Sequence, residues 1–578
     1  MKNAKLLFGA CMTALIGVTA LSGCGIVSGE DVYDDKDRLI INVKNVYFEN
    51  WEGEDVYTDV INEKFGVNIR ASAYDYNSWD EMVNTAINGN NLTDVIQFNL
   101  KSYNFGSTYE KWVDNQMIKP LPSNLSKWPN LEAMINKVSN VDYLKIKGKL
   151  YGIPILNDIN NPDKDFSNFT YVYRRDWAKK IDEMNVDTPN YQPVYREGDV
   201  YTWEEFKRLV NAFKVNIKTL SEMEMANVLV DESWGFPSVT NFYKDVPHCF
   251  AKDEDGKVIN AFTSDKYIAG LEEAKRFVSD KIYAQDQYNF ALNKANELYL
   301  GGQAAILYDN YSLANYIKLR KLFKKSQKTV DVDDGTALLK VKGPDGKFAL
   351  EGTENWFSMT MFNYDISDTK QEKILDILNY LLSEEGTRLA IYGIEGYDYS
   401  IIDGQVVLSE QGWERGSDGQ YGPKTNGAKY LRYMATLGND TKSFDPYTDM
   451  DAYNLLNSWQ EEMKAAKAAG NLRVVKEPSD VDWMSTPTKN DKTESILADA
   501  NTIVLKYCFG KIASIDAYKA EFDKDVSWKR ILEEINDNVT TRGCGGSIVA
   551  TGSIITLLSL GAIAIFVVRR KRRGQLAR

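Results

Sequence analysis

The sequence predicts an α/β protein folded as two lobes and followed by a C-terminal transmembrane helix. Of the 578 residues, 523 lie between Cys24 and Gly546, which is more than one hydrophobic core supports and enough for two large lobes. Near the start of this body, strand and helix patterns alternate over about 60 residues, as in a parallel, doubly wound sheet. Residues 547–568 carry no charge, and at about 1.5 Å per residue they are long enough to span a bilayer.

The doubly wound sheet is predicted from hydrophobic periodicity. Apolar and polar residues alternate at 39–43 and 67–71, and residues 94–98 form a third, compact strand. Each of the two intervening helices places its apolar residues on one face. The first is predicted to end at Gly66, and the second to open with a capping box, Ser78-Trp79-Asp80-Glu81.

The N-terminus has the pattern of a secretory signal peptide over residues 1–23. Two lysines precede an apolar run, Leu6 to Leu21, that is too short for a comfortable membrane span. The run ends in Leu21-Ser22-Gly23-Cys24, which resembles the bacterial lipobox, so we expect Cys24 to carry a lipid. The alternative is an ordinary signal peptide with an incidental cysteine. Polar, acidic residues then lead to the first strand, and we interpret 24–37 as a tether.

The C-terminus predicts the same topology independently. Five consecutive cations, Arg569 to Arg573, follow the uncharged span and open a basic tail at 569–578. The positive-inside rule places this tail in the cytoplasm and the body outside the cell membrane. A buried core helix is a poor alternative, because those cations have no place in a core. The preceding Gly543-Cys544-Gly545-Gly546 resembles a surface-protein sorting signal, so processing near Cys544 stays open as an alternative to a retained second anchor.

Composition narrows the classes of function. The two end segments hold eight of the 69 basic residues, which leaves 61 basic against 82 acidic residues in the body, a net charge of −21. Such a surface repels nucleic acid. The chain has a single histidine, His248, which excludes histidine-rich metal sites. In a strand, its neighbour Cys249 would point to the opposite face, which argues against a Cys-His dyad. A disulfide between Cys249 and Cys508 is left open.

Five segments, taken in order along the chain, resemble a known family. They are Gly89 to Ile96, Lys147 to Pro154, Tyr173 to Trp177, Tyr201 to Phe206, and Leu381 to Gly386 followed by Tyr392 to Gly396. Together they are similar to extracellular solute-binding proteins of family 1, the substrate-binding lipoproteins of ABC importers. The last segment resembles the long, oligosaccharide-type branch of that family.

The resemblance implies a periplasmic-binding-protein-like fold, with a hinge and a ligand cleft between the lobes. It implies a carbohydrate ligand, an ABC permease as membrane partner and a separate ATPase, and this chain has no phosphate-binding loop of the Gly-x-x-x-x-Gly-Lys-Ser/Thr type. We expect a monomer with no cofactor and no enzymatic activity. Lobe 1 is assigned to 38–154 and 303–345, and lobe 2 to 155–302 and 346–542.

A cleft that binds sugar needs flat aromatic faces together with a few fixed polar groups. Residues of these types stand after predicted strands or at predicted crossings: Trp51, Asp75, Asn99, Arg174, Trp234, Asp309, Tyr311, Trp356 and Tyr397. Each has packing as its alternative role. For Arg174 the specific alternative is an ion pair with Asp176 or another carboxylate, and Asp309 could simply cap the strand that precedes it.

Other functions find less support in the sequence. Residues 331–335 hint at a calcium loop, but the glycine comes one place early and Lys342 stands where a bidentate glutamate is needed. We therefore expect no metal site. A surface-anchored glycan hydrolase and a glycan receptor or adhesin without a transport role remain the alternatives, since they would share location and ligand.

Overall fold

The computed structural model describes most of the chain between residues 31 and 542. The residues of this range that it does not describe are 47, 49–50, 76–77, 158–163, 224–225, 233–236, 248, 285–286, 288–289, 291–292, 410–412, 416–420, 424–426 and 435–448. The predicted signal peptide, Cys24, Cys544, the predicted span 547–568 and the basic tail all lie outside the described residues. Within the described part, no helix has both the length and the apolar character needed to cross a membrane.

The strands are numbered along the chain. They are β1 Leu39–Asn45, β2 Val67–Ala73, β3 Val95–Phe98, β4 Gly152–Leu156, β5 Phe169–Tyr173, β6 Val200–Tyr201, β7 Asn227–Asp231, β8 Phe250–Lys252, β9 Val258–Asn260, β10 Ala304–Asn310, β11 Ala337–Val341, β12 Phe348–Glu351, β13 Trp356–Phe362, β14 Tyr399–Ile402, β15 Gln405–Leu408, β16 Trp413–Arg415, β17 Tyr421–Pro423 and β18 Leu472–Val475.

The helices are numbered in the same way, and a π-helical turn at Phe105–Tyr109 joins α3 to α4. They are α1 Val56–Phe65, α2 Trp79–Asn88, α3 Ser102–Asn104, α4 Glu110–Asp114, α5 Pro129–Ile135, α6 Arg175–Met184, α7 Trp203–Ser221, α8 Asp265–Ser279, α9 Lys294–Leu300, α10 Leu313–Ser326, α11 Val332–Gly335, α12 Asp368–Leu381, α13 Glu384–Tyr392, α14 Gly427–Met434, α15 Met450–Ala468, α16 Ser479–Asp482, α17 Pro487–Cys508, α18 Ile515–Asp523 and α19 Val526–Arg542.

The first lobe is built on a five-stranded sheet with the order β2-β1-β3-β13-β4. Strand β1 runs parallel to β2 and β3, as the alternating pattern predicts, and β13 runs antiparallel to β3 and β4. Helix α1 ends where predicted, because Gly66 adopts a left-handed conformation with φ 64° that terminates the helix. Helices α12, α13 and α14 share the hydrophobic core of this sheet.

The second lobe is built on another five-stranded sheet with the order β6-β11-β5-β10-β7. Both faces of this sheet are covered. Tyr171 and Ile306 belong to a core with α7, α8 and α17 on one face. Val172 and Leu307 point to the opposite face and pack with α10 and α15, as alternation along a strand requires.

The topology turns the same edge of each sheet toward the other lobe. Strand β4 runs antiparallel to β13 and therefore parallel to β3, so it ends at the carboxyl edge of the first sheet. The chain then crosses at 157–168 to the start of β5. Because β5 is antiparallel to β10, this start lies beside the carboxyl end of β10. The carboxyl edges of the two sheets therefore meet at the crossing, and the space between them is the candidate ligand site.

The boundaries assigned from the sequence need correction. Residues 303–345 belong to the second lobe and not the first, because β10 and β11 both pair with β5. Conversely, β13 and the helices that follow it to α14 belong to the first lobe. The pairing partners lie more than a hundred residues apart in several cases, so local patterns could not indicate which sheet a strand joins.

The predicted tether also ends earlier than expected, because residues 31–37 lie against the first lobe. Ile40 donates its backbone N–H to the carbonyl of Val32 at 2.8 Å. The Asp34 carboxylate accepts hydrogen bonds from Arg38 Nε at 2.8 Å and from Asn68 Nδ2 at 2.9 Å. Of the described residues, 31–37 are thus part of the folded body.

Candidate ligand site between the lobes

Three predicted site residues follow the parallel strands of the first sheet. Trp51 is buried, donates its indole N–H to Asp55 Oδ2 at 2.6 Å and stacks on Tyr430 with ring centroids 5.1 Å apart. Asp75 is exposed, and Asn99 is half-buried. The structure thus brings all three to one edge, where Asp75 and Asn99 are accessible and Trp51 serves the core.

Trp356 begins β13 at the same edge, and a second tryptophan packs against it. The ring of Trp483 lies 5.8 Å from that of Trp356, at an interplanar angle of 33°. Both residues are more than nine-tenths buried, and neither indole N–H has a hydrogen-bond partner among the described residues. An indole N–H is a donor only, so the pair offers two donors to acceptor oxygens.

The carboxyl edge of the second sheet carries two carboxylates that share one amide. Glu232 follows β7, and Asp309 lies at the end of β10; both are buried. Asn296 Nδ2, from α9, donates to Glu232 Oε2 at 2.9 Å and to Asp309 Oδ2 at 2.8 Å. An ionised carboxylate has about four acceptor sites, so this arrangement can also accept hydrogen bonds from ligand hydroxyls. Asp309 therefore lies at this edge, and its role in ligand binding stays a prediction.

Hydrogen bonds join Asp231, at the end of β7, to Ser238. Asp231 accepts the backbone N–H of Ser238 at 2.9 Å and its hydroxyl at 2.7 Å. The Tyr171 hydroxyl donates to Ser238 Oγ at 2.9 Å. Burial raises the pKa of Asp231 to about 6. These bonds bring Ser238 to the carboxyl end of β7. Trp234, which the sequence proposed as a site residue, lies outside the described residues.

Charge at the first-lobe edge is held in half-buried positions. The Lys44 ammonium lies 4.4 Å from the ring centroid of Tyr74, and desolvation lowers the pKa of Lys44. Burial raises the pKa of the Tyr74 hydroxyl to about 12. Burial also raises the pKa of the Asp80 carboxyl, at the start of α2. Removal from water thus disfavours the charged form of both Lys44 and Asp80 relative to the neutral form.

The structure removes Arg174 from the candidate set. It follows β5, so it lies at the opposite edge of the sheet, where its N–H bonds the carbonyl of Ala305. Its guanidinium forms a two-point ion pair with Asp176, at 2.8 and 2.6 Å, and lies over the ring of Trp177. The alternative role stated for Arg174, an ion pair with Asp176, is the one observed.

Tyr311 and Tyr397 differ in their surroundings. Tyr311 is fully buried in the core beneath α10, and its hydroxyl has no partner among the described residues. Tyr397 is half exposed beside the β14–β15 hairpin, next to Asp398, whose carboxylate accepts a 3.1 Å bond from the Tyr57 hydroxyl. Tyr311 is therefore a packing residue in this state, whereas Tyr397 is accessible.

Several residues of the site were not identified from the sequence. Glu232 stands two residues before Trp234 and directly after a strand, so its position alone could have indicated it. Asn296 and Trp483 gave no such signal, because each reaches the site from a helical region distant in sequence. Their roles arise from tertiary packing.

Residues 331–335 take part in ion pairs, and Cys249 and Cys508 are part of the core. Asp333 pairs with Arg320 at 2.7 Å, and Asp334 pairs with Arg175 at 2.6 Å and Lys179 at 2.9 Å. No group of three or more metal-ligating side chains was found within the described part of the chain. Cys249 and Cys508 are both buried free thiols, and burial raises the pKa of Cys508 to about 12.

Comparison with known proteins gives a structural match without a sequence match. No protein-family model and no curated protein matches the sequence. An extracellular solute-binding protein from Bifidobacterium longum subsp. infantis matches at a TM-score of 0.59 and 13% identity, over 87% of this chain and 100% of that chain. The fold is that of the extracellular solute-binding proteins.

Two further structures support this assignment of the fold. The alginate-binding protein AlgQ2 matches at a TM-score of 0.57 and 15% identity, over 87% of this chain and 98% of that chain. The N-glycan transport solute binding protein NgtS from Streptococcus pneumoniae matches at a TM-score of 0.55 and 13% identity, over 86% and 97%. The predicted two-lobed α/β architecture is confirmed.

Proposed function

We propose that this chain is the extracellular solute-binding protein of an ABC importer and that it captures an oligosaccharide between its lobes. The ligand is then delivered to a permease in the membrane. The chain acts by binding and not by catalysis, and it works as a monomer. The observation that carries this proposal is the meeting of two sheet edges that bear carboxylates, amides and aromatic rings.

The chemistry of the two edges supports a carbohydrate ligand. Sugars present hydroxyls at their edges and C–H groups on their faces, so they need fixed acceptors and donors together with flat rings. Glu232, Asn296 and Asp309 supply the polar groups on the second lobe. Trp356 and Trp483 supply rings with indole donors on the first-lobe side. The matched structures include proteins described as binding alginate and as transporting N-glycans.

The attachment to the cell surface is part of the proposal. Lipid on Cys24 holds the N-terminal end at the outer face of the membrane, and residues 547–568 form a second anchor with the basic tail in the cytoplasm. One acyl chain alone gives marginal binding, but a modified Cys24 would carry more than one chain and is therefore a stable anchor by itself. Two anchors would keep the protein beside its permease.

A ligand screen tests the proposed function. The full-length protein is heated with a panel of oligosaccharides and a panel of peptides, and its thermal transition is recorded. We expect an upward shift with at least one oligosaccharide, because a ligand that binds the folded state stabilises it. Shifts with peptides and with no sugar would overturn the carbohydrate assignment. Hydrolysis of a sugar in the same mixtures would instead support a glycan hydrolase.

A further inference from the structure

Residues 477–490, here called the clamp segment, leave the second lobe and return to it. Strand β18 runs parallel to β12, which leads into the crossing at 352–355. Lys476 Nζ forms an ion pair with Glu354 Oε1 at 2.8 Å beside that crossing. The chain then passes through α16 and comes back along α17, whose middle part is buried in the second-lobe core. The clamp segment therefore accompanies the covalent crossing into the first lobe.

Side chains of the clamp segment lie in both hydrophobic cores. Val481 and Met484 belong to the core of the second lobe, whereas Trp483 belongs to the core of the first. The Trp483 ring meets Phe105 edge to face, with centroids 5.7 Å apart, and also contacts Trp356. Adjacent residues, Trp483 and Met484, thus pack in different lobes.

Two hydrogen bonds between the lobes flank the tryptophan. Ser102 donates its hydroxyl to Asp482 Oδ1 at 2.6 Å, and Ser485 donates to Glu110 Oε2 at 2.6 Å. Both first-lobe partners lie in the helical stretch formed by α3, the π-helical turn and α4. This stretch follows β3, so the contact lies at the carboxyl edge of the first sheet.

A close approach of backbone to side chain completes the contact. A methyl group on Gly106, in the π-helical turn, would come within 2.4 Å of the amide group of Asn490. Asn490 Nδ2 in turn donates to Ser485 Oγ at 2.8 Å. A side chain at position 106 would therefore force the Asn490 amide out of its present position.

A buried lysine holds the clamp segment in shape. Lys489 Nζ donates to the carbonyl oxygens of Val481 at 2.9 Å, Met484 at 2.8 Å and Asp482. Lys489 is 3% exposed, so these three acceptors replace the water that its ammonium has lost. The turn that presents Trp483 is thus fixed from within the second lobe.

We infer that the clamp segment is a non-covalent connection that sets the relative position of the lobes, so that they separate only when Trp483 leaves the first-lobe core. Release of Trp483 also frees one face of Trp356, which ties lobe separation to the candidate ligand site. The inference concerns the contact itself and holds whatever ligand the cleft takes.

Hydrogen exchange on the full-length protein tests the inference. In Trp483→Ala, backbone amides of residues 99–110 are expected to exchange roughly a hundredfold faster, which corresponds to the loss of a buried tryptophan from a contact. Amides of β1 and β10, inside the two sheets, are expected to keep their protection. Unchanged exchange at 99–110 would overturn the inference.

A smaller change distinguishes loss of this contact from general unfolding, which Trp483→Ala could also cause. Gly106→Ala raises helix propensity, so a rise in exchange at 99–110 and 477–490 is assigned to the clash with Asn490 and not to a loss of helical preference. Adding Asn490→Ala should restore protection by removing the clashing amide. Ser107→Ala in the same turn is the matched control and should change nothing. If Gly106→Ala exchanges as the wild type does, or if Asn490→Ala gives no rescue, the inference fails.

Discussion

At the scale of single residues, Asp231 is a carboxylate on whose pKa two effects compete. Burial raises the pKa, and the hydrogen bonds that the carboxylate accepts lower it by a smaller amount. Its pKa of about 6 lies above the ordinary value of about 3.9. The folded protein therefore binds this proton more tightly than the unfolded chain does. Stability from this group is fully present below about pH 4 and is lost as the pH rises through 6.

Replacement of Asp231 removes this titration. Relative to Asp231→Asn, the wild type should gain up to about 3 kcal/mol of unfolding free energy as the pH falls from 7 to 4. Urea unfolding of both proteins at several pH values measures the difference. A difference that stays constant across this range would contradict the assigned pKa.

The carboxylates of Glu232 and Asp309 offer a test of the site itself. Glu232→Gln and Asp309→Asn should each weaken binding of an oligosaccharide found in the ligand screen by about tenfold to a hundredfold, because hydrogen bonds to charged groups contribute about 1.5–3 kcal/mol. Isothermal titration measures the affinity. Glu254→Gln and Asp255→Asn, in the exposed β8–β9 turn, are the matched controls. Equal affinity in all four variants would place the ligand elsewhere.

At the scale of elements, helix starts show how far local sequence determines structure. Thr202 caps α7: Glu205 N–H donates to Thr202 Oγ1 at 3.4 Å, and Thr202 N–H donates to Glu205 Oε2 at 3.0 Å. Ser78 does not cap α2, and its hydroxyl bonds Asp75 Oδ1 at 3.2 Å instead. The predicted capping box at Ser78 is therefore wrong, although the helix begins where expected.

These two helix starts form a matched pair of mutations. Thr202→Ala should lower the free energy of unfolding by about 1 kcal/mol, whereas Ser78→Ala should cost less than about 0.5 kcal/mol, because it removes no bond to a helix N–H. Chemical denaturation at pH 7 measures both. Hydrogen bonding from the Thr202 backbone holds the pKa of Glu205 at about 2. The contribution of Glu205 to the free energy of unfolding therefore persists above pH 4 and is lost as the pH falls toward 2. A larger loss for Ser78→Ala would contradict the capping geometry.

At the scale of the whole molecule, the two proposed anchors are attached to different lobes. The first described residues contact the first lobe, where Ser367 donates to Asp31 at 2.7 Å, and α19 lies in the second lobe. Cys24→Ala alone and truncation after Gly546 alone should each leave the protein in the membrane fraction. The two changes together should release it. Release by the truncation alone would show that Cys24 carries no lipid, and the intact mass of the mature protein checks both ends independently.

The sequence predicted the elements of the first lobe better than their grouping into lobes. Strands β1, β2 and β3 and helix α1 occur where the periodicity of apolar residues indicated. The reason is that the local order of apolar and polar residues indicates which face of a strand or helix is buried. Asp255-Gly256 and Asp403-Gly404 each join two short strands of a hairpin, as Asp-Gly pairs often do. The assignment of residues 303–345 failed, because sheet partners are chosen over long sequence separations.

The sequence by itself determined the parallel arrangement of the first strands, the acidic surface and the edge at which polar and aromatic residues collect. Tertiary structure decided which residues lie at the candidate site: it paired Arg174 with Asp176 at the far edge and brought Glu232, Asn296 and Trp483 to the candidate site. The physical reason is that periodicity records which side of an element is buried. It does not record what buries it, and that depends on contacts between residues hundreds of positions apart.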